Sequence, residues 1–290
     1  MSNTSQRSLD WRVRATANVM RALPQNMRGR WRMARAMLGA HVSSRDIRLM
    51  SRNGNVFLVP SLAEPVAFSL LVDGAYEPDT MAFIESKLPI NGAFVDVGAN
   101  VGLFAIEVAS KLATGGKVLA IEASASVFAY LVENLRASGR SNVLVENVAI
   151  TAGDTEHTVF YEAPSHAFGM GSRAPQFHAA ATSRPSVSLD ELLRRTNFPV
   201  PDVIKVDVEG FEADVFRGGM GCLMGGRAPT VIFEFADWAE ARSGGVVGAA
   251  QQLLLDAGYE LRVLERKGQL SSALKVPMLE GTEMLVAQRN

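Results

Sequence analysis

The chain predicts a doubly wound α/β fold on a mostly parallel sheet, and three observations carry that reading. A short apolar run (Ala93, Phe94, Val95) ends on Asp96, and a glycine-bearing turn, Val97-Gly98-Ala99-Asn100-Val101-Gly102, follows it. Leu103 to Leu112 then shows helical spacing, and a second apolar run, Lys117 to Ile121, ends on Glu122. Strand, turn, helix and strand make a βαβ half whose carboxylate-ended strands face a ligand. Further along, Val203–Val206 leads into Asp207 and Val231–Phe233 into Glu234, so four strands close on an acid.

The turn indicates which nucleotide this half receives. A dinucleotide fingerprint has glycine at its first, third and sixth positions, so that backbone closes on a pyrophosphate. Counting from Gly98, the third position is Asn100 and the sixth Leu103, so a pyrophosphate would meet side chains. Asp96 repels a diphosphate and attracts a ligand carrying an ammonium and a sulfonium. S-adenosylmethionine has both. Asp96 is placed for its amino group, Gly98 and Gly102 for close backbone approach, and Glu122 for the ribose hydroxyls. The alternative is that Asp96 caps the following helix and Glu122 is a solvated strand end.

The segments Asp96-Val-Gly-Ala-Asn-Val-Gly102, Glu122, Asn142-Val-Leu-Val-Glu-Asn-Val-Ala149, Ser188-Leu-Asp-Glu-Leu192 and Ile204-Lys-Val-Asp-Val-Glu-Gly210 together resemble the FkbM family of S-adenosylmethionine-dependent methyltransferases. The likeness runs from about Gly74 to about Phe235, and its Asp-Val-Glu-Gly element is the more specific part. It implies a class I methyltransferase (Rossmann-like) fold with a seven-stranded sheet, preceded by a helical and β-hairpin extension. It also implies O-methylation of a sugar or polyketide hydroxyl. Tyr76-Glu77-Pro78 is similar to the family's lead-in, which places Glu77 at the border of the cofactor or acceptor pocket. Asn100 falls inside the cofactor turn, and Ala149 stands where class I enzymes contact adenine.

Composition fits a packed enzyme with a distinct arm. Of 290 residues, 48% are hydrophobic, enough for a sizeable core, and the lone Cys222 excludes an intrachain disulfide or a cysteine-rich metal site. Residues 1–52 carry eleven arginines against Asp10 and Asp46, a net charge near +9, which leaves the remainder near −10. The expected division is a basic helical arm over 1–52 and a methyltransferase domain over 53–290, with its cofactor half at about 74–150. No apolar run reaches the roughly 18 residues that span a bilayer, and arginines interrupt any secretory signal. A cytoplasmic protein is expected, with an organellar transit peptide as the lesser alternative.

In order, helices are expected at Trp11–Leu23 and Gln25–Leu38, where Met27, Trp31, Ala34 and Leu38 share one face beside Arg28, Arg32 and Arg35. Such an arm suits peripheral contact with an anionic membrane, or packing on the acidic body or in a dimer. Stacking aromatics and a recognised nucleic-acid fold are absent, so no nucleic acid is expected. Asn53-Gly54 predicts a hairpin between Ile47–Met50 and Val56–Val59. Phe68–Val72 reads as a strand, Asp79–Lys87 and Ser126–Ser138 as helices, Val143–Val145 as a strand. Thr158–Glu162 alternates like a hairpin strand, and Ala163–Pro185 reads as a lid or acceptor loop bearing His166, Gly169, Gly171, Ser172 and His178. Ser188 and Glu191 form a capping box, Val246–Ala257 a helix, and Tyr259–Leu264 with Met284–Ala287 an antiparallel edge.

For chemistry, Asp207 or Glu209 is the candidate general base toward an acceptor hydroxyl. The rival is a divalent ion on Asp207, Glu209 and Glu234, although no metal is expected. Glu209 and Glu212 are alternatively caps of the next helix. Two other functions compete: a non-catalytic scaffold that keeps the cofactor fold, and a nicotinamide-dependent oxidoreductase, against which the interrupted glycine pattern counts.

Overall fold

A computed structural model describes residues 3–25, 27–177 and 180–289, with the helical backbone alone over 3–10. His178 lies outside the described residues. The chain divides into two compact units, one formed by residues up to Glu77 with Pro164–Gly169, the other by Pro78–Ala163 and residues from Met170 onward.

In the first unit, helix α1 (Asn3–Ala22) and helix α2 (Arg30–Leu38) precede a hairpin, β1 (Arg45–Met50) and β2 (Val56–Ser61), and helix α3 (Pro65–Asp73). Val13, Thr16, Ala17 and Met20 recur at helical spacing on the buried side of α1. Helix α3 corrects the strand expected at Phe68–Val72. A five-residue stretch of four apolar residues and Ser69 does not tell strand from helix; its flanks do. Pro65 stands in the first turn, the Glu64 side chain accepts from Ala67 N–H at 3.1 Å, and Gly74 closes the helix in left-handed geometry at φ 68°.

Three arm arginines turn inward to the end of α3. Arg30 is 5% exposed and donates to Asp73 Oδ1 at 2.6 Å and to the carbonyls of Met20 and Val72 at 2.7 and 3.1 Å. Arg21 donates to Leu70 O at 2.9 Å and Arg52 to Asp73 O at 2.6 Å. These bonds satisfy carbonyls that every helix end leaves open. Arg35 instead lies over Phe68, 5.3 Å from the ring centroid, and Trp31 packs on the same ring at 5.0 Å.

The second unit runs α4 (Pro78–Lys87), β3 (Ala93–Val97), α5 (Leu103–Lys111), β4 (Lys117–Ile121), α6 (Ala125–Ser138), β5 (Val143–Glu146), β6 (Ala149–Ile150), β7 (His157–Tyr161), β8 (Ala181–Val187), α7 (Leu189–Arg195), β9 (Val203–Val206), α8 (Glu212–Gly218), α9 (Met220–Met224), β10 (Thr230–Ala236), α10 (Asp237–Arg242), α11 (Ala249–Asp256), β11 (Glu260–Val263) and β12 (Thr282–Gln288). Seven strands form one sheet in the order β11-β12-β10-β9-β3-β4-β5. β5, β4, β3, β9 and β10 are parallel, while β12 runs antiparallel to both β10 and β11. The chain winds outward from β3 in one direction and from β9 in the other, so the crevice between them is the switch point where ligands sit.

One face of this sheet makes the core. Val95, Val97, Leu119, Ile121, Ile204, Val206, Val231 and Phe233 pack with Leu192, Phe216 and Leu254 of the covering helices. Phe216 meets Phe233 edge-on at 5.2 Å. Two further expectations change. Residues 181–185, assigned to the end of a long loop, begin β8, which pairs antiparallel with β7, Phe160 opposite Thr182. Their mostly polar alternation and Pro185 hide the strand from a hydrophobic pattern. β10 extends two residues beyond Glu234, because β12 continues to pair with it as far as Ala236. Among the described residues, no helix is long and apolar enough to cross a membrane.

Replacing Arg30 with Ala should lower unfolding free energy by about 2–4 kcal/mol, since it strips a buried ion pair and two carbonyl caps. Exposed Arg32→Ala should stay within about 0.5 kcal/mol. Urea denaturation of the two variants checks both.

Candidate active site

The turn after β3 is folded by its own backbone. Gly98 and Ala99 both donate to Ile121 O at 2.9 Å, Gly102 donates to Ala99 O at 2.9 Å, and Val101 donates to the Asn100 side chain at 2.8 Å. Asn100 itself, held at a left-handed φ of 53°, donates its N–H to Glu122 Oε2 at 2.9 Å. The turn's own amide hydrogens, from Gly98 to Gly102, are therefore already committed. Gly98 takes φ 83°, and a Cβ there would stand 1.8 Å from Asp207 O. Only glycine lets this turn rest on the chain leaving β9.

Acids, not amide donors, line the turn. Asp96 is fully buried on β3. Helix α5 begins at Gly102 with no side-chain cap, so Asp96 is not its capping residue. Glu122 is 9% exposed and accepts from Ser124 N–H at 2.7 Å with its other oxygen. Burial pushes its carboxyl up to about 7, against the two backbone hydrogen bonds and with help from Glu162 and Asp96. Asn147 anchors the same corner by donating to Glu122 O at 2.7 Å, and Ala149 is buried at the start of β6.

Behind Glu122, Glu162 gathers the start of α6. It accepts from Ser124 Oγ, from Ser126 Oγ at 2.7 Å, from Ala125 N–H at 3.1 Å and from Arg184 at 2.5 Å. Burial alone would raise this carboxyl; the hydrogen bonds from Ser124, Ser126 and Arg184 outweigh it and hold it below its ordinary value.

Across the switch point lies a second group of acids. Carboxylate oxygens of Asp207, Glu209 and Glu234 come within 4.8 Å of one another, all three side chains half-buried. Glu234 sits level with Asp207 because Phe233 pairs with Val206 in the parallel ladder. Lys205, 2% exposed, donates to Asp207 Oδ2 at 3.1 Å, lies 4.8 Å over the Phe104 ring, and stands opposite Asp96 in the register. Asp96, Lys205 and Glu234 thus alternate onto the face away from the main core.

Glu209 holds a left-handed φ of 56°, a conformation that costs about 1–3 kcal/mol in a non-glycine residue and marks functional sites. Its carbonyl accepts from Ser172 Oγ at 3.2 Å, and the Arg242 guanidinium approaches its carboxylate at 3.7 Å. Glu212, by contrast, is a capping carboxylate: its Oε1 accepts from Val208 and Gly210 N–H at 3.0 and 3.4 Å, and burial pushes it up to about 7.

The structure therefore gathers Asp96, Gly98, Asn100, Gly102 and Glu122 at one side of the crevice and Asp207, Glu209 and Glu234 at the other. Glu77 and His166 belong to the other unit, where His166 is exposed and Glu77 is half-buried with φ 41°. Three contributors escaped the sequence reading. Lys205 had a visible signal, a lysine inside an apolar strand. Glu162 and Arg242 had none, since each acts through partners distant in sequence.

Strand order, switch point and acid-lined turn define the class I methyltransferase fold. Residues 96–261, more than half of the chain, match the Methyltransferase FkbM domain, and the chain belongs to that family. It is 30% identical over 143 residues to the hexuronic acid methyltransferase AglP of Haloferax volcanii, a match covering 49% of this chain and 56% of that relative. Similar solved structures include a precorrin-6y C5,15-methyltransferase from Geobacter metallireducens, 15% identical with a TM-score of 0.42 over 74% of this chain and 89% of that one. An O-methyltransferase from Bacillus cereus is 14% identical with a TM-score of 0.40 over 73% and 82%.

Gly98→Ala should be the most damaging single-methyl addition in the site, because its Cβ meets a main-chain oxygen that cannot yield. A lowered melting temperature together with loss of S-adenosylhomocysteine binding by calorimetry is the expected result.

Proposed function

We propose that this protein is an S-adenosylmethionine-dependent methyltransferase that modifies a hydroxyl of a sugar, glycan or polyketide-like acceptor. The observation that carries this reading is the pairing of an acid-lined, amide-saturated turn with the carboxylates of Asp207, Glu209 and Glu234 across one crevice. The turn suits a cationic ligand and rejects a diphosphate, which also disfavours a nicotinamide cofactor. When bound, S-adenosylmethionine supplies a methyl group already activated by its sulfonium.

The chain's own residues then have three tasks. Asp96 meets the amino group, Glu122 the ribose hydroxyls, and Gly98, Asn100, Gly102 and Ala149 provide close walls. Glu77 rests on the resemblance of its Tyr-Glu-Pro setting. Asp207 and Glu209 orient the acceptor hydroxyl and take its proton, a step worth typically 10²–10⁴-fold. Holding the acceptor hydroxyl beside the methyl donor supplies the proximity that an in-line transfer needs. The relative named for hexuronic acid supports a sugar among the possible acceptors.

A second reading has its own observation. Oxygen atoms of Asp207, Glu209 and Glu234 lie close enough to share a divalent ion such as magnesium. Two cations already stand there, Lys205 on Asp207 and Arg242 beside Glu209, and they offset the charge such an ion would neutralise. Base catalysis by the carboxylates is therefore preferred.

Incubation with methyl-labelled S-adenosylmethionine and a cell-envelope extract tests the function; label in a glycan fraction and release of S-adenosylhomocysteine are expected, and a scaffold yields neither. Asp207→Asn and Glu209→Gln should each lower kcat by about 10²-fold or more while S-adenosylhomocysteine affinity holds. EDTA should leave the rate unchanged, whereas loss restored by magnesium would establish the second reading. Because Glu122 accepts ribose hydroxyls as the ionised form and burial pushes its carboxyl up to about 7, affinity should fall as pH drops from about 8 to about 6, approaching tenfold per unit at the lower end. Glu122→Gln should flatten that profile in calorimetry.

A further inference from the structure

The residues assigned to methyl transfer make no use of α1 and α2. From Trp11 to Ser44 the sequence holds seven arginines and no acid. Two of them, Arg21 and Arg30, turn inward onto the carbonyls of α3. The other five, Arg12, Arg14, Arg28, Arg32 and Arg35, are exposed, and none forms an ion pair with an acid among the described residues.

Apolar side chains that the core does not use stand beside these arginines. On α1, Val13, Thr16, Ala17 and Met20 take the buried side, while Trp11, Arg14, Asn18 and Ala22 recur at helical spacing on the opposite one. Trp11 is 59% exposed, with the Arg12 guanidinium 5.6 Å from its ring centroid, and Val19 is exposed a short way along. On α2, Arg30, Ala34 and Leu38 are buried, and Arg32, Arg35 and Ala36 face away from them; Met27 and Arg28 are exposed in the turn before the helix. Arg30 joins the two helices through Met20 O, and both are held to α3, α1 by Arg21 on Leu70 O and α2 by Arg30 on Val72 O. Two helices laid side by side on a third turn their remaining sides outward together.

The resulting surface is polybasic, free of acids between Trp11 and Ser44, and carries a tryptophan with aliphatic chains around it. That is the composition of a segment lying in the headgroup region of an anionic bilayer, where arginines meet phosphates and an indole sits at the apolar boundary. Two other occupants suit it less. A nucleic acid matches the arginines and stacks on Trp11 but offers nothing to Val19 and Met27. A second copy meeting this face by two-fold symmetry would set arginines against arginines.

We propose that α1 and α2 form a docking surface for a membrane rich in anionic phospholipid, with Arg12, Arg14, Arg28 and Arg32 on headgroup phosphates and Trp11 and Met27 at the acyl boundary. None of these residues belongs to the methyl-transfer set, so the docking stands or falls apart from that reading.

Flotation of the full chain with vesicles tests it, using phosphatidylcholine alone and phosphatidylcholine with about 30% phosphatidylserine. The wild type should bind the anionic vesicles and not the neutral ones, and raising salt from about 0.1 M to about 0.5 M should release it. Arg12→Gln, Arg14→Gln, Arg28→Gln and Arg32→Gln combined should weaken binding at least about 50-fold, since each arginine near such a surface contributes about fivefold. Tryptophan emission should shift to the blue when the wild type binds, and Trp11→Phe should lose most of that shift. Equal binding to both vesicles, no binding, or undiminished binding by the quadruple variant overturns the proposal. Tighter binding of a short single-stranded RNA than of the anionic vesicles overturns it in favour of nucleic acid. A change of sedimentation mass in the quadruple variant, without vesicle binding by the wild type, overturns it in favour of self-association. Should the quadruple variant fail to fold, the lipid and salt comparisons on the wild type decide.

Discussion

The close approach of the Gly98 backbone to the carbonyl of Asp207 is the constraint on which the candidate site depends. It seats the turn after β3 directly on the chain leaving β9, at the place where the sheet reverses its winding. Everything that follows each strand is thereby brought to one crevice: Asn100 and Glu122 from one side, Glu209 and Gly210 from the other. Gly210 repeats the device a step further out, since a Cβ there would stand 2.3 Å from Ala239 O. Helix α10 is positioned by that second contact.

Charge is arranged around this frame with equal economy. Five carboxylates converge near the carboxyl ends of β3, β4, β9 and β10, and such crowding is unfavourable unless cations interleave with them. Lys205 does so from inside the sheet, opposite Asp96 and bonded to Asp207. A lysine there keeps the strand's apolar neighbours on the opposite face intact while its ammonium reaches the acids and sits over the Phe104 ring. Arg242 does so from outside, on the helix that Gly210 seats.

Much of this was legible in the sequence because parallel strands announce both their hydrophobic interior and the polar residue at which it stops. Glu122 and Asp207 follow their strands by that rule, whereas Asp96 lies one residue inside β3, which runs on to Val97. Glu234 was found by the same rule for an incomplete reason, since its strand continues along the antiparallel partner β12. Phe68–Val72 misled because a mostly apolar stretch of five residues is too short to show a period, and the informative residues, Glu64, Pro65 and Gly74, lie outside it. β8 was missed because it is polar on both faces and broken by Pro185. Glu162 and Arg242 carry no local signature at all; their partners lie tens of residues away.

The inward-facing arginines of the first unit bear on how its arm can be dissected genetically. A deletion ending at residue 52 removes Arg21, Arg30 and Arg52 at once, stripping the side-chain donors from the Val72 and Asp73 carbonyls at the end of α3 and the Arg30 counter-ion from Asp73. Any phenotype of such a truncation would mix lost surface recognition with a frayed scaffold. Charge reversal at the outward Arg12, Arg14, Arg28 and Arg32 isolates the first from the second.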